Sequence, residues 1–322
     1  MLYPLKFKPI LKHRIWGGNQ LKKVLKKIYT DDLTIGESWE LSGVIGEESV
    51  VINGELAGNT INELLDIYMD DLVGGKNFEQ FGFTFPLLFK FIASNDKLSI
   101  QVHPNDEMVA EQGSFGKTEM WFVVKAEEGA ELVLGFKEPI NKETCRQHIQ
   151  NNTLESVLNK VKVNTGDVCF IPAGMVHAIG KGVVIAEIQQ ASDLTYRLYD
   201  YNRLEKDGKP RQLHVEQALE AINFDNHSND KIQFNKERNK SVPLVACEYF
   251  TTNLLSFDKT IIKDYSDLDS FVVYMCLSGS FEVKWQGGKE LVSKGETVLI
   301  PAEMGEVELM AIDGAEVLEV SI

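Results

Sequence analysis

The sequence predicts a mainly β protein: two jelly-roll-type barrels of one design in tandem, with a few helical insertions. Two observations predict it. Short β-rich runs (LVLGF, VCFIPA, VVIAEI, FVVYMCL, FEVKWQ, TVLIPA) recur between Gly, Asn and Asp turns. Their spacing of roughly 8–12 residues suits an antiparallel sandwich or barrel better than a parallel βαβ fold. The second observation is a weak internal repeat. GDVCFIPAGMVHAI at 166–179 matches GETVLIPAEMGEVEL at 295–309, and upstream EMWFVVKAEEGAEL matches DSFVVYMCLSGSFEV, with Gly129 against Gly279. The two matches differ in spacing by about the length of a helical stretch that lies only in the first copy.

The elements follow in chain order. LKKVLKKI at 21–28 reads as a small amphipathic helix whose four lysines form a solvated face. Thr60 and Glu63 form a capping box for a helix that buries Ile61, Leu64, Leu65 and Tyr68 and stops at Gly74-Gly75. Helical stretches are expected at 141–160 and 213–222, and strands at the apolar runs named above. A polar stretch at 224–243 is the natural linker, giving an N-terminal domain over 1–235 and a C-terminal β domain over 236–322. The paired strand–turn motifs, each a Gly-[Asp/Glu] step followed by IPA, resemble the cupin double-stranded β-helix.

Composition narrows the function. The 322 residues carry a net charge of −15, against a nucleic acid or an anionic lipid surface as partner. A hydrophobic content of 43% excludes global disorder. Cys145, Cys169, Cys247 and Cys276 lack close pairing, which excludes a disulfide scaffold and a cysteine zinc knot. The N-terminal stretch has no continuous apolar run, and FGFTFPLLFKFI is short and broken by Lys90, so neither a signal peptide nor a membrane span is expected. The expectation is a cytoplasmic protein, a monomer or weak homodimer.

One constellation carries chemistry. QVHP places Gln101 and His103 two residues apart, hence on one face of a strand. Glu119 opens the next strand run and His177 follows the IPAGM turn. Two imidazoles, a carboxylate and an amide oxygen inside a barrel suit a divalent ion such as Zn²⁺, although the same set also holds Fe(II) in oxygenases. Gln101 is the weakest member, because amides are poor zinc ligands; orienting a neighbour is its alternative role. Under the repeat these four fall opposite Thr251, Asn253, Asp269 and Glu306, so the second copy is expected to be metal-free. His13, His148, His214 and His227 have no such partners and read as structural or surface residues.

The motifs PILKHRIWGG, GESWELSG, LLFKFI, KLSIQVHPND, GKTEMW, IPAGMVHAIG and EIQQASDLTYRLYDYNR, in consistent order over 9–203, closely resemble type I mannose-6-phosphate isomerases of the short bacterial form. The resemblance implies a zinc-dependent aldose–ketose isomerase acting on mannose 6-phosphate and fructose 6-phosphate through a cis-enediol. It implies Gln101, His103, Glu119 and His177 as zinc ligands, Arg197 as catalytic, and Trp16, Lys90, Ser99, Lys117 and Glu187 as pocket residues. The C-terminal part matches only as a generic metal-free cupin. The short form lacks the large helical domain of longer members, so phosphate contacts transfer least safely.

The chemistry points the same way. Moving a carbonyl from C1 to C2 needs a base near carbon and positive charge near the oxygens. Glu187 is the preferred base, with a hydrogen-bonding support role as its alternative. Arg197 is a permanent fork for a phosphate or an enediolate oxygen; a salt bridge to Asp193 or Asp200 is its alternative. Lys90 and Lys117 add charge to the same mouth, with Lys117 placed among the catalytic groups. A glucose-6-phosphate isomerase and a non-catalytic sugar-binding module are the competing readings, with an Fe(II) oxygenase disfavoured.

Overall fold

The computed structural model describes residues 2–30, 34–205, 207–225 and 230–322. A six-stranded antiparallel sheet runs in the order Ile10–Gly18, Ile35–Ser42, Leu87–Ser94, Val183–Gln190, Glu119–Ala126, Val168–Ile171. A five-stranded sheet runs Tyr196–Tyr199, Ile100–Val102, His177–Ile179, Glu131–Phe136, Leu158–Lys162. The two face each other: Trp121, Val123 and Ile185 of the first share a core with Leu132, Leu134 and Ile179 of the second. The expected mainly β architecture is present, built as two packed sheets rather than one closed by hydrogen bonds.

The C-terminal part is a single eight-stranded sheet that bends into two layers. Its long strands Val272–Trp285 and Glu306–Ser321 serve both layers. Val272–Met275 pairs with the strand Thr297–Ile300, and Ser280–Trp285 with Gly288–Ser293. The switch falls at Gly279 and Gly314, whose φ angles are 72° and 74°. A Cβ on Gly279 would lie 1.8 Å from the Gly314 carbonyl oxygen, so only glycine permits the crossing. The N-terminal strand Leu5–Lys6 joins this sheet beside Thr297–Ile300.

The two parts pack back to back, which explains the unbroken apolar runs. Leu87, Phe89, Phe91 and Ala93, with Met120, Phe122, Val184, Ala186 and Ile188, leave the outer face of the six-stranded sheet. They share a core with Phe271, Val273, Met275, Leu299 and Leu318 of the C-terminal sheet. Buried on both faces, these strands read as continuous hydrophobic segments instead of alternating ones. The inner face of the same strands carries Lys90, Glu119, Glu187 and Gln189, all buried.

Helices decorate this frame. The capped helix spans Ile61–Val73, with the capping box in place and Ile61, Leu64 and Leu65 buried. A second helix, Gly75–Phe81, follows where the glycine pair signalled a stop. The carboxylate of Asp269 accepts from the Gly75 and Lys76 amides at 2.6 and 3.0 Å, a cap supplied from far along the chain. The stretch at 141–160 is helical at Lys142–Gln150 and Leu154–Val157, but Leu158–Lys162 is a strand. The last expected helix is Val215–Ala221. In the first helix, Gln20–Leu25, the solvated-face reading fails for Lys27, just past its end. Lys27 is buried, with Nζ 2.6 Å from the Glu40 carboxylate and 2.5 Å from the carbonyl of Gly295. No described helix is long and apolar enough to cross a membrane.

Candidate functional site

The site lies between the five- and six-stranded sheets. On the six-stranded sheet, Glu187 is flanked in register by Lys90 and Trp121, and two residues on Gln189 is flanked by Leu88 and Glu119. On the five-stranded sheet Gln101 pairs with His177 on one side and Arg197 on the other. His103 follows immediately beyond the strand Ile100–Val102. A period of two along each strand aims these side chains into one space.

His103, Glu119 and His177 form the one group of three or more His, Cys, Asp or Glu residues among the described residues that could hold a metal ion. His103 Nε2 and His177 Nε2 lie 3.1 Å apart, and His103 Nε2 lies 3.1 Å from Glu119 Oε1. Each imidazole donates its Nδ1–H to a backbone carbonyl, His103 to Leu194 at 2.8 Å and His177 to Met175 at 2.9 Å. Those bonds fix the tautomer, so both Nε2 atoms present lone pairs to each other. Burial drives His103 down to about 3 and lowers His177, which keeps both rings neutral. Gln101 completes the group, its amide 3.3 Å from His177 Nε2. Two lone pairs and a carboxylate on buried side chains call for a cation, and the donor set fits a divalent ion. The Lys117 ammonium answers part of that call, 2.8 Å from Glu119 Oε1 and 3.2 Å from His103 Nε2.

The electrostatics separate the two carboxylates. Burial opposes ionisation of Glu119, but the Lys117 ammonium beside it overcomes that and holds Glu119 well below the usual carboxylate range. Burial, then the charge of Glu119, raises Glu187 to about 6 despite Lys90 at 3.1 Å. The indole N–H of Trp121 donates to both, at 3.1 Å to Glu119 and 2.8 Å to Glu187. Two acids with such different proton affinities, side by side, are the condition for one to hold charge while the other exchanges a proton.

A cavity of about 450 Å³ opens above this floor, lined by Trp16, Lys90, Ser99, Gln101, Lys117, His177, Glu187 and Arg197. All ten residues singled out in the sequence therefore meet at one place, His103 and Glu119 at its base. Arg197 donates Nε–H to Ser99 at 3.3 Å and Nη1–H to the Gln212 carbonyl at 2.6 Å. It forms no salt bridge with Asp193 or Asp200; Asp200 is taken by Arg203 and Arg211. Sequence reasoning missed Trp121, Arg14, Glu37 and Arg211. Trp121 carried a signal, standing two residues from Glu119 and so on the same strand face. Arg14 and Glu37 form a bidentate pair at 2.7 and 3.2 Å, and Glu37 falls to about 2, because Arg14 and Lys90 outweigh its burial. Of the remaining histidines, His13 lines the cavity wall. His214 accepts from the Arg197 backbone amide and His148 pairs with Thr153. His227 lies outside the described residues.

The C-terminal sheet repeats the plan with other residues. Strand register places Asp264 opposite Glu306, as Gln101 stands opposite His177, and Val272 opposite Ile300, as Glu119 stands opposite Ile171. The counterparts of Gln101 and Glu119 are thus Asp264 and Val272, not Thr251 and Asp269, because the strand before Gly279 is continuous where the first copy has a looser turn. Glu306 stands as expected. Glu187, flanked by Lys90 and Trp121, has its counterpart in Glu319, flanked by Asn253 and Tyr274. Glu319 is buried and fully engaged, with Lys263 Nζ and Tyr265 Oη each at 2.6 Å and Ser241 Oγ at 2.5 Å.

Comparison with known proteins places this geometry. The family model "Phosphomannose isomerase type I, catalytic domain" matches residues 4–131. A mannose-6-phosphate isomerase of Bacillus subtilis is 34% identical over 314 residues, 95% of each chain. One from Streptococcus mutans is 39% identical over 230 residues, 71% of each chain. The crystal structure of the mannose 6-phosphate isomerase from Bacillus subtilis superimposes with a TM-score of 0.88 at 30% identity, covering 100% of both chains.

Proposed function

The chain belongs to the type I phosphomannose isomerase family, and we propose that it interconverts mannose 6-phosphate and fructose 6-phosphate with zinc as its cofactor. The observation that carries this reading is the meeting of the His103–Glu119–His177 group with Glu187 on the floor of one cavity. Gln101, His103, Glu119 and His177 would hold the ion. When bound, zinc supplies redox-silent positive charge beside the substrate's reacting oxygens, as an isomerisation without net electron transfer requires.

The chain's own groups do the rest. Glu187, buried and raised to about 6, accepts a proton from C2 of the aldose and returns it to C1, passing through a cis-enediol. Trp121 orients that carboxylate by its 2.8 Å bond, and Lys90, itself held by Gln189 at 2.5 Å, sets the position of the second oxygen. Lys117 and Arg197 present positive charge to the oxygens on which negative charge develops. Two enclosing sheets keep bulk water from the enediol. The N-terminal part over 1–235 is the catalytic domain, and the C-terminal part over 236–322 binds no metal.

A coupled assay tests the reading. Purified protein is expected to interconvert the two sugar phosphates, to stop with EDTA and to recover with zinc. A zinc-replete protein that turns over neither sugar phosphate overturns it.

A further inference from the structure

Five cationic side chains line the cavity, and their partners sort them. Arg14 is spent bidentately on Glu37, Lys90 on Glu187 and Gln189, and Lys117 on Glu119. His13 stands at the wall beside Arg14. Arg197 has no carboxylate partner among the described residues. Arg211 holds Asp200 through Nε at 2.8 Å and Nη2 at 2.6 Å, leaving Nη1 without a protein partner among the described residues. Asp200 is also shared with Arg203 at 2.5 Å, so one carboxylate faces two guanidinium groups. With Arg197 nearby, this end of the cavity holds more interior positive than negative charge. The acids that also line it, Asp193 and Glu205, are exposed to solvent.

The position matters as much as the charge. Arg197 stands beside Gln101 in strand register and bonds Ser99, so the row His177, Gln101, Ser99, Arg197 leads away from the imidazoles. Resting on the proposed isomerase function, we infer that Arg211, held by Asp200, is the residue that reads the phosphate ester of the substrate, with Arg197 standing between it and the reacting oxygens. A sugar whose C1 and C2 lie at the His/Glu floor carries its phosphate on C6, at the far end of the chain. A dianion suits a planar fork already oriented by a carboxylate, because less side-chain freedom is lost on binding. The half-neutralised Asp200 cluster keeps the empty seat from costing a full buried charge excess.

The test compares wild type with Arg211→Ala and Arg211→Lys, with inorganic phosphate as the probe. Calorimetric titration of phosphate needs no turnover, so it is independent of the functional reading. In Arg211→Ala phosphate affinity is expected to fall about tenfold or more. KM for mannose 6-phosphate should rise by a similar factor, with kcat falling less than KM rises. Arg211→Lys, which keeps the charge but not the fork, is expected to recover part of both and guards against a folding defect in the alanine variant. Phosphate affinity and KM within about twofold of wild type in Arg211→Ala overturn the inference, as does a loss confined to kcat. A wild-type protein that binds phosphate in an Arg211-dependent way but isomerises no sugar phosphate overturns the functional reading alone.

Discussion

His103 and His177 aim their Nε2 atoms at each other across 3.1 Å, each with its Nδ1–H committed to a backbone carbonyl. Such a pair is a site waiting for positive charge, and its members are not interchangeable with other polar residues. His103→Ala and His177→Ala are expected to lose bound metal on purification and activity with it. Gln101→Ala, which removes only an amide, should weaken metal retention by a smaller factor. Elemental analysis after dialysis separates the cases, and equal metal content in all three variants would sink the assignment.

Glu187 is the proton-exchanging group if its elevated proton affinity serves the chemistry. Glu187→Gln keeps the size and the Trp121 hydrogen bond but removes the base. Its kcat should fall by about 10²- to 10⁴-fold with metal content and thermal midpoint little changed. A modest loss accompanied by metal release would instead make Glu187 a support for its neighbours.

Glu37 couples the cavity wall to acid stability. Its folded carboxyl titrates at about 2, below the unfolded value of about 4.3, so it binds fewer protons when folded. The stability it contributes is therefore present above about pH 4.3 and lost as pH falls toward 2, on the order of 3 kcal/mol in full. Urea unfolding of wild type and Glu37→Gln should show a gap that is largest at pH 6 and narrows toward pH 3. A pH-independent gap would mean the Arg14–Glu37 pair is merely packed.

Lys27 ties the two halves of the chain, its ammonium lying between Glu40 and the Gly295 carbonyl. Lys27→Ala strands a buried carboxylate and is expected to cost about 3–5 kcal/mol. The double variant Lys27→Met/Glu40→Leu should recover most of it. A single-variant loss below about 1 kcal/mol, read from denaturant midpoints, would contradict the buried pairing.

What could be read in advance divides along physical lines. Local rules sufficed for the helix at Ile61–Val73, whose capping box and apolar face lie within a few residues. The i, i+2 geometry of Gln101 and His103 likewise followed from strand periodicity alone. The expectation that Lys90, Lys117, Glu187 and Arg197 share one pocket came from family resemblance, and the structure brings them together. Three things escaped. Helix Gly75–Phe81 depends on Asp269, a cap from the other end of the chain. Leu158–Lys162 became a strand because Glu131–Phe136 offered it an edge. Arg211 sits in a polar turn whose value depends on what Asp200 has already paired with.

The buried network around Glu319 has a consequence for how the molecule responds to chelators. Glu187 and its counterpart Glu319 each have an ammonium built into the chain, Lys90 and Lys263, but only Glu187 also stands beside a group that calls for an exchangeable ion. A covalently tethered ammonium cannot be stripped, mismetallated or outcompeted. Metal starvation should therefore act on one half of the polypeptide only, leaving a silent enzyme on an intact scaffold that a returning ion can switch back on.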